Sequence, residues 1–174
     1  MNYKFIPYDS VYPGLFEKEK VFLKKILSNK IIVEHFGSTA VPGLGGKGVI
    51  DIYLLVEKEL MKIASKILCD HGYEYKKNTG DENRWFHQIN KKHGDKSYHY
   101  HIHLSFFGNK NFEDCIDFRD YLRTNPEAVK KYSQIKQKAS KNIESIIDKK
   151  ELKKVYMNTK NSVIQEIMRK IKKI

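Results

Sequence analysis

The chain has 174 residues, 40% of them hydrophobic, and its 33 lysines and arginines against 21 aspartates and glutamates give a formal net charge of +12. That length predicts one domain with a sizeable core, and the basic excess favours an anionic partner such as a nucleotide, a nucleic acid or another phosphorylated molecule. No apolar run approaches the roughly 18 residues of a membrane span. Cys69 and Cys115 lack a CxxC spacing and are interpreted as free thiols. The opening MNYKFIPYDS has no signal-peptide architecture, so we expect a cytoplasmic protein.

The first 70 residues alternate between helix-like and strand-like patterns. Apolar residues repeat with helical spacing over residues 15–28, and a strand pattern follows at 31–36. A turn of small residues then covers 37–48. Residues 49–56 form a nearly continuous β-branched and leucine run, which is typical of a strand buried on both faces. A second helix is predicted over residues 60–70.

The last third of the chain is predicted to be helical. One helix covers residues 112–123, a second begins at Pro126, and a last helix covers 149–172. Sheet-forming segments in residues 1–108, followed by helices in 109–174, predict a single α+β domain. Its expected architecture is a mixed β-sheet flanked by helices, with a helical C-terminal part.

The basic excess is concentrated towards the C-terminus. Residues 130–174 contain 14 lysines and arginines and 4 acidic residues, an excess of 10 positive charges. Aromatic residues do not interleave regularly with these lysines, so nucleic-acid binding is only weakly supported. Lysines that solvate the outer faces of helices explain the same excess equally well.

Two further strands are predicted at residues 84–88 and 97–107, paired around a polar loop at 91–96. Side chains alternate between the two faces of a strand. In the second of these strands an apolar row therefore occupies one face. The other face carries three imidazoles, those of His99, His101 and His103.

Asp51 is a carboxylate inside an otherwise apolar strand. An ionised carboxylate there costs several kcal/mol unless it is paired, protonated or bound to a metal. If its strand and the histidine strand belong to one sheet, Asp51, His101 and His103 meet on one face. Neutral imidazoles with a carboxylate suit a divalent transition metal, and they also suit acid–base chemistry near neutral pH. The alternatives are a carboxylate that caps neighbouring backbone and histidines on a solvent-exposed face.

Gly37, Ser38 and Thr39 directly follow a predicted strand and open the small-residue turn. Backbone amides at a glycine turn, together with two hydroxyl groups, can hold phosphate oxygens, and Lys47 adds positive charge. The segment matches neither the P-loop nor the dinucleotide-binding glycine motif. We therefore predict a phosphate- or nucleotide-binding turn formed by Gly37, Ser38, Thr39 and Lys47, with a plain tight turn as the alternative.

These segments resemble the GrpB family. EHFGSTAVPGLGGKGVIDI, residues 34–52, is similar to the family's EHIGSTAVPGLAAKPIIDI, and HIHLS, residues 101–105, is similar to its HLHV-like strand. FRDYLRTNPEAVKKYSQIK, residues 118–136, is similar to a family helix that begins FRDYLR. VYMNTKNSVIQEI, residues 155–167, is similar to the family's Tyr–Lys helix near the end. The resemblance covers nearly the whole chain.

The resemblance implies a fold similar to the nucleotidyltransferase superfamily, in which a Gly-Ser turn binds nucleotide phosphates and acidic residues hold divalent metal. It implies that Gly37 and Ser38 are this turn and that Asp51 is the first acidic residue. The second acidic position falls on Tyr53. Two-metal transfer uses several carboxylates, so one aspartate with two histidines implies a different metal site, an acid–base site, or binding without turnover. We expect Mg²⁺ or Mn²⁺, with Zn²⁺ less favoured.

Four basic side chains of the C-terminal helices are further candidates for binding phosphate. Arg119 and Arg123 are four residues apart and therefore lie on one helix face. Arginine is a good bidentate partner for phosphate, although a salt bridge to a neighbouring carboxylate explains the pair equally well. Lys136 and Lys160 are similar candidates with weaker support.

The favoured hypothesis is a nucleotidyltransferase-like enzyme that binds a nucleotide or another phosphorylated small molecule with a divalent metal. Its catalytic and metal-binding residues are predicted to be Asp51, His101 and His103. A non-catalytic ligand-binding or regulatory domain on the same fold is the alternative. A phosphoesterase is disfavoured because HLS is one half of a motif that such enzymes need twice. Nucleic-acid binding through the C-terminal helices stays open, and the sequence does not identify the acceptor or the oligomeric state.

Overall fold

The computed structural model describes residues 4–143 and 146–172 of this chain, without the side chain of Lys149, as one β-sheet and five α-helices. The strands are β1 (Ile32–Phe36), β2 (Val49–Val56), β3 (Glu74–Asp81), β4 (Arg84–His93) and β5 (Lys96–Phe106). The helices are α1 (Tyr12–Ile26), α2 (Met61–Asp70), α3 (Lys110–Thr124), α4 (Pro126–Lys141) and α5 (Lys149–Ile171).

The sheet is mixed and has the strand order β1-β2-β5-β4-β3. Strands β2 and β5 run parallel, and the other neighbouring pairs are antiparallel. The α+β class and the mixed sheet that the sequence predicts are thus confirmed. Strand β2 lies between β1 and β5 and is covered on both faces, which explains its nearly continuous apolar sequence.

One face of the sheet forms the main core with α1 and α2. Ile50, Ile52, Ile102 and Leu104, the even-numbered residues of the two parallel strands, are fully buried there. They pack against apolar side chains of the two amphipathic helices, including Leu15, Phe16, Leu23, Ala64 and Leu68. Because side chains alternate along a strand, the odd-numbered residues, Asp51 among them, point to the other face.

Helices α3, α4 and α5 cover that other face. Phe112 of α3 packs edge-on against Tyr53 of β2, with ring centroids 5.3 Å apart, and Arg119 of α3 forms a 2.7 Å ion pair with Glu34 of β1. A second buried cluster joins the three helices to the turn that precedes β2, and consists of Val41, Leu44, Leu122, Tyr132, Val163 and Ile167. The C-terminal helices therefore enclose the face on which Asp51 lies.

Two details of the predicted sheet are wrong. The sequence pattern predicts no strand at Glu74–Asp81, where the structure has β3. This strand is at the sheet edge and is mostly exposed, so its polar sequence EYKKNTGD carries no apolar alternation. The loop predicted at residues 91–96 is largely paired, because β4 and β5 continue almost to the turn at Gly94, where a positive φ of 60° reverses the chain.

The predicted helices are present with shifted ends. Helix α1 begins at Tyr12, earlier than its apolar repeat indicates, because Pro13 is well accommodated in a first turn. Helix α5, with 23 residues, is the longest. Among the helices of the described residues, none combines the length and the apolar character needed to cross a bilayer.

Candidate functional site

Asp51 and His101 are direct neighbours in the sheet. The parallel register of β2 and β5 pairs them, and His101 Nδ1 lies 3.0 Å from Asp51 Oδ1. His103 Nε2 lies 3.9 Å from the same oxygen. The structure therefore brings together the carboxylate and two of the three imidazoles that share this face. The third, His99, hydrogen-bonds to Asn90 at 2.7 Å instead.

The surroundings of Asp51 favour its ionised form. Burial opposes ionisation, but the hydrogen bonds and charges of His101 and His103 outweigh it and hold the pKa of Asp51 well below its usual range. Burial lowers the pKa of His103, although Asp51 acts in the opposite direction. An ionised carboxylate only accepts hydrogen bonds, so His101 donates its Nδ1–H to Asp51. The Asp51 side chain keeps 23% of its surface exposed and is thus accessible.

Aromatic rings hold both imidazoles in place. Phe86 packs edge-on against His101 and His103, with centroids 4.7 and 5.2 Å away, and Phe36 packs edge-on against His103 at 4.9 Å. The buried atoms His101 Nε2 and His103 Nδ1 have no hydrogen-bond partner among the described residues. Packing and Asp51 therefore orient these rings, rather than an outer shell of polar groups.

Gly37 approaches Asp51 more closely than any residue with a side chain permits. A Cβ atom built on Gly37 would lie 2.5 Å from Asp51 Oδ2, and Gly37 has a positive φ of 73°, which glycine adopts without strain. Gly46 similarly makes room for Ser38, because a Cβ there would lie 2.4 Å from Ser38 Oγ. The turn and the acidic strand therefore form one closely packed unit.

Thr39 points into the protein. It is 1% exposed, its hydroxyl donates to the carbonyl oxygen of Val49 at 2.9 Å, and it accepts from His35 Nε2 at 2.9 Å. Burial lowers the pKa of His35 to about 4, and Phe16 stacks on its ring at 4.6 Å. These bonds tie the turn to β1 and to the start of β2. The Thr39 hydroxyl is thus engaged within the protein and does not line the cavity described next.

A cavity of about 360 Å³ lies between the glycine turn and the three C-terminal helices. Gly37, Ser38 and Asp51 form part of its lining. Three cationic side chains, which we call the lysine cluster, also line it: Lys47, Lys136 and Lys160. Most of the remaining lining is apolar or aromatic and includes Leu44, Phe118, Leu122, Tyr132, Tyr156, Ile164 and Met168.

Burial and mutual repulsion make the lysine cluster electrostatically costly. Burial, together with the charges of Lys160 and Lys47, lowers the pKa of Lys136 to about 7, although Asp51 acts in the opposite direction. Burial and the charge of Lys47 lower the pKa of Lys160 to about 8. Among the described residues, neither Lys136 nor Lys160 has a carboxylate oxygen within 4.0 Å of its ammonium group. The cavity is thus suited to an anion.

The segments that build this site match a known family. The family model described as "GrpB protein" matches residues 3–170. This chain belongs to the GrpB family.

Proteins and solved structures that are similar to this chain include other members of the family. The chain is 31% identical over 173 residues to a UPF0157 protein of Halalkalibacterium halodurans, covering 95% of this chain and 80% of that protein. It is 30% identical to the glutamate-rich protein GrpB of Alkalihalophilus pseudofirmus, covering 88% and 87% of the two chains. The crystal structure of conserved protein GrpB from Enterococcus faecalis matches with a TM-score of 0.77 and 29% identity over 96% of both chains. More distantly, the fold is similar to a cytoplasmic RNA terminal U-transferase, with a TM-score of 0.49, 17% identity, and coverage of 78% and 40%.

Tyr53 occupies the position at which the sequence resemblance led us to expect a second acidic residue. Its side chain is fully buried, and its hydroxyl donates to Asn111 Oδ1 at 2.9 Å. Burial raises the pKa of Tyr53 to about 12. Tyr53 is therefore a neutral phenol at physiological pH and supplies no negative charge next to Asp51.

The two arginines predicted to bind phosphate are engaged within the protein. Arg119 NH1 donates to Glu34 at 2.7 Å and to the carbonyl oxygen of His35 at 2.8 Å, while its Nε and NH2 donate to Asp120. Arg123 Nε donates to the carbonyl oxygen of Ala40 at 2.9 Å. Arg119 lines the cavity, and Arg123 lies outside it, along a neighbouring groove. Arg119 thus ties α3 to β1, and Arg123 ties α3 to the turn.

Lys136 and Lys160 share a pattern that is visible in the sequence. Each lysine lies four residues after a tyrosine, in the repeated pattern Tyr-x-x-x-Lys of α4 and α5. Lys136 Nζ lies 4.8 Å from the Tyr132 ring centroid, and Lys160 Nζ lies 4.4 Å from that of Tyr156. This spacing puts the ammonium group over the aromatic ring. Two copies on neighbouring helices indicate a shared site.

Proposed function

We propose that this protein binds a nucleotide or another phosphorylated small molecule in the 360 Å³ cavity and acts on it as a metal-dependent, nucleotidyltransferase-like enzyme. The observation that carries the proposal is the lysine cluster, which converges on the Gly37–Ser38 turn beside Asp51. Grouping buried cations disfavours the empty state, and among the described residues neither Lys136 nor Lys160 has a carboxylate oxygen within 4.0 Å that would offset this cost. A bound polyphosphate compensates their charge, so relief of the repulsion between the lysines contributes to the free energy of ligand binding.

The composition of the cavity lining supports a ligand with two chemical parts. The lysine cluster and Ser38 suit phosphate oxygens, since ammonium and hydroxyl groups are good donors to them. Leu44, Phe118 and Ile164 belong to a packed apolar cluster and offer a surface for a base or another apolar group. A nucleoside phosphate has both parts.

In this proposal Asp51, with His101 and His103, holds a divalent cation beside the phosphates. The cation, when bound, stabilises negative charge on phosphate oxygens. The lysine cluster has the same effect, because its ammonium groups neutralise negative charge that develops on a leaving phosphate. Gly37 keeps the backbone close enough to Asp51 for the ligand to reach both.

Binding without chemistry is the second candidate function, and Tyr53 favours it. A neutral phenol, held by Asn111, occupies the position at which a second carboxylate would support a second ion. A regulatory or carrier domain needs the lysine cluster but not that carboxylate. The two candidates therefore differ in turnover and not in where the ligand binds.

Calorimetric titration with each of the four ribonucleoside triphosphates and with inorganic triphosphate tests the binding step. We expect binding to the wild type and at least a tenfold weaker affinity for Lys160→Met, because one charge contact with phosphate is lost. Lys66→Met is the matched control, since Lys66 is 78% exposed on α2 and pairs with Asp70. Equal affinities for the two variants, or no binding of any phosphate, would contradict the proposal.

Release of pyrophosphate from the bound triphosphate separates the two candidates. Turnover that is abolished in Asp51→Asn, with ligand binding retained, supports the transferase. Tight binding to the wild type without consumption of any nucleotide supports the non-catalytic domain.

A further inference from the structure

A centre of two Mg²⁺ ions does not fit the residues of this sheet. Such a centre needs several carboxylates that bridge the ions. Asp51 supplies one, and Tyr53, at the second position, packs against Phe36, His103 and Phe112 with centroids 5.2, 5.8 and 5.3 Å away. Aromatic rings and a neutral phenol thus fill the space beside Asp51 where a second ion would need charged ligands.

A different donor set is present on the same face. Asp51, His101 and His103 each offer one ligand atom, and these atoms all lie within 4.8 Å of one another. Within residues 4–143 and 146–172, this is the one group of three or more such side chains close enough to share an ion. Around a four-coordinate ion with ligands at about 2.0–2.2 Å, donor atoms lie about 3.4 Å apart. His101 Nδ1 and His103 Nε2 lie 3.0 and 3.9 Å from Asp51 Oδ1, on either side of this value, so moderate adjustments of the side chains suffice.

We infer that Asp51, His101 and His103 bind a single divalent transition-metal ion of the Zn²⁺ or Co²⁺ type, and do not bind Mg²⁺. The inference deepens the proposed function by naming its metal, but it requires no bound nucleotide. Imidazole nitrogen is a favourable ligand for first-row transition metals, whereas Mg²⁺ prefers oxygen ligands and retains its water. Two nitrogens and one oxygen therefore favour Zn²⁺ or Co²⁺ over the expected Mg²⁺ or Mn²⁺, since Mn²⁺ has the lowest affinity of the first-row metals for such ligands.

Three protein ligands leave at least one coordination position for water or a phosphate oxygen. Catalytic zinc sites have this composition, whereas structural sites are closed by four protein ligands. The 23% exposure of Asp51 and its place in the cavity lining give an ion a route from solvent. The site is thus able to bind an ion and a ligand together.

The outer shell of this site is apolar, which limits its affinity. Ligating histidines usually donate their second ring nitrogen to a polar partner, and loss of such a partner weakens metal binding about 10- to 100-fold. Here Phe86 contacts both rings, and His101 Nε2 and His103 Nδ1 have no partner among the described residues. The His101 Nδ1 proton must also leave before this nitrogen can ligate. We expect an exchangeable ion that a chelator removes.

Titration of the chelator-treated full-length protein with Co²⁺ tests the inference without nucleotide. We expect visible d–d absorption that saturates at one equivalent, is abolished by Zn²⁺ and is unchanged by millimolar Mg²⁺. Asp51→Asn and His103→Gln should each weaken Co²⁺ binding at least tenfold. His99→Gln, from the same strand and face, is the matched control and should bind as the wild type. Circular dichroism melts establish that each variant is folded.

Three results would overturn the inference: saturation at two equivalents, displacement of Co²⁺ by Mg²⁺ at equal concentration, or undiminished binding to folded Asp51→Asn. If a ligand variant fails to fold, the wild type is treated with diethyl pyrocarbonate instead. We then expect one equivalent of Zn²⁺ to protect His103 from modification. Absence of that protection would equally overturn the inference. Failure of nucleotide binding leaves the Co²⁺ result unaffected, so the two proposals fail separately.

Discussion

The backbone of Gly37 lies directly against the carboxylate of Asp51, so that a Cβ atom at position 37 would come within 2.5 Å of Asp51 Oδ2. This contact couples the turn to the acidic strand: the turn cannot move without releasing Asp51, and Asp51 cannot rotate freely beneath the turn. It also puts the oxygen that is not bonded to His101 on the side of the turn. The carboxylate thus lies between the imidazoles and the glycine backbone.

Gly37→Ala should weaken both the fold and the binding of anions. The methyl group must displace Asp51, and the positive φ of 73° adds strain of about 1 kcal/mol. We expect a loss of about 2–4 kcal/mol in the free energy of unfolding, measured in urea. Gly94→Ala is the matched control, because Gly94 has a φ of 60° and nothing within 4 Å of the added Cβ. Equal losses in the two variants would show that only backbone strain matters at Gly37.

Lys136→Met should stabilise the ligand-free protein while it weakens phosphate binding. The pKa of Lys136 falls from 10.5 to about 7 because of burial, so the unfolded chain binds its proton more tightly than the folded protein does. Removing the cation should raise the free energy of unfolding by about 1–3 kcal/mol at pH 7, and this gain should disappear as the pH approaches 10.5. A less stable Lys136→Met at pH 7 would argue against a buried, costly cation.

Anion affinity should fall as the pH rises above neutrality. Lys136 and Lys160, with pKa values of about 7 and about 8, carry positive charge below these values and lose it above them. Calorimetry with sulfate, which keeps its charge over this range, should give at least a tenfold weaker affinity at pH 9 than at pH 6, because both lysines lose their charge between these two pH values. A bound anion raises both pKa values, so the complex loses its protons at higher pH than the free protein.

A flat sulfate affinity between those two pH values would show that the lysine cluster does not titrate there. Lys136→Met should retain only the step due to Lys160. The same measurement in 0.5 M NaCl separates local binding from general attraction to a basic surface, since salt screens exposed charges strongly and buried contacts much less.

Arg119→Met should act on stability more than on ligand binding. Arg119 is mostly buried. Its guanidinium group links α3 to β1 by bonds to the Glu34 carboxylate and to the carbonyl oxygen of His35. Glu34 and Asp120 are 36% and 50% exposed and are solvated once Arg119 is removed, so we expect a loss of about 1–3 kcal/mol, chiefly from the bonds that the guanidinium makes. Thermal unfolding followed by circular dichroism measures this loss.

Arg123→Met is the comparison for Arg119→Met. Its side chain is 40% exposed and contributes one bond to the Ala40 carbonyl oxygen together with a 3.4 Å pair to Asp120. We expect a loss below about 1 kcal/mol. If Arg123→Met instead abolishes phosphate binding with an unchanged melting temperature, the arginine belongs to the ligand site as the sequence predicts.

Strand periodicity was sufficient to predict which side chains share a face within each strand, whereas the meeting of Asp51 with His101 and His103 depended on the parallel pairing of β2 and β5. Asp51 and the imidazoles of His101 and His103 alternate with apolar residues, and this alternation follows from backbone geometry whatever the strands pair with. The glycine turn between two apolar runs was also predicted from the sequence. Strand β3 was not, because its exposed edge position removes the apolar pattern on which such a prediction depends.

The sequence did not predict which polar side chains are engaged by residues far away along the chain. Thr39 and Arg119 have the right chemistry for phosphate, but tertiary packing engages the hydroxyl with Val49 and His35, and the guanidinium with Glu34. Lys136 and Lys160 line one cavity with Lys47 because α4 and α5 pack beside the turn, although these two lysines are about 90 and 110 residues away from Lys47 in the sequence.

The chain's local order thus determined the α+β class, the faces of the strands and the turn beside Asp51, because these depend on side-chain alternation and on backbone conformations available to neighbouring residues. Only the tertiary structure decided which polar groups remain available to a ligand. That choice depends on which donors and acceptors are satisfied by distant partners and on whether a carboxylate lies near each buried cation. Both are properties of packing rather than of spacing along the chain.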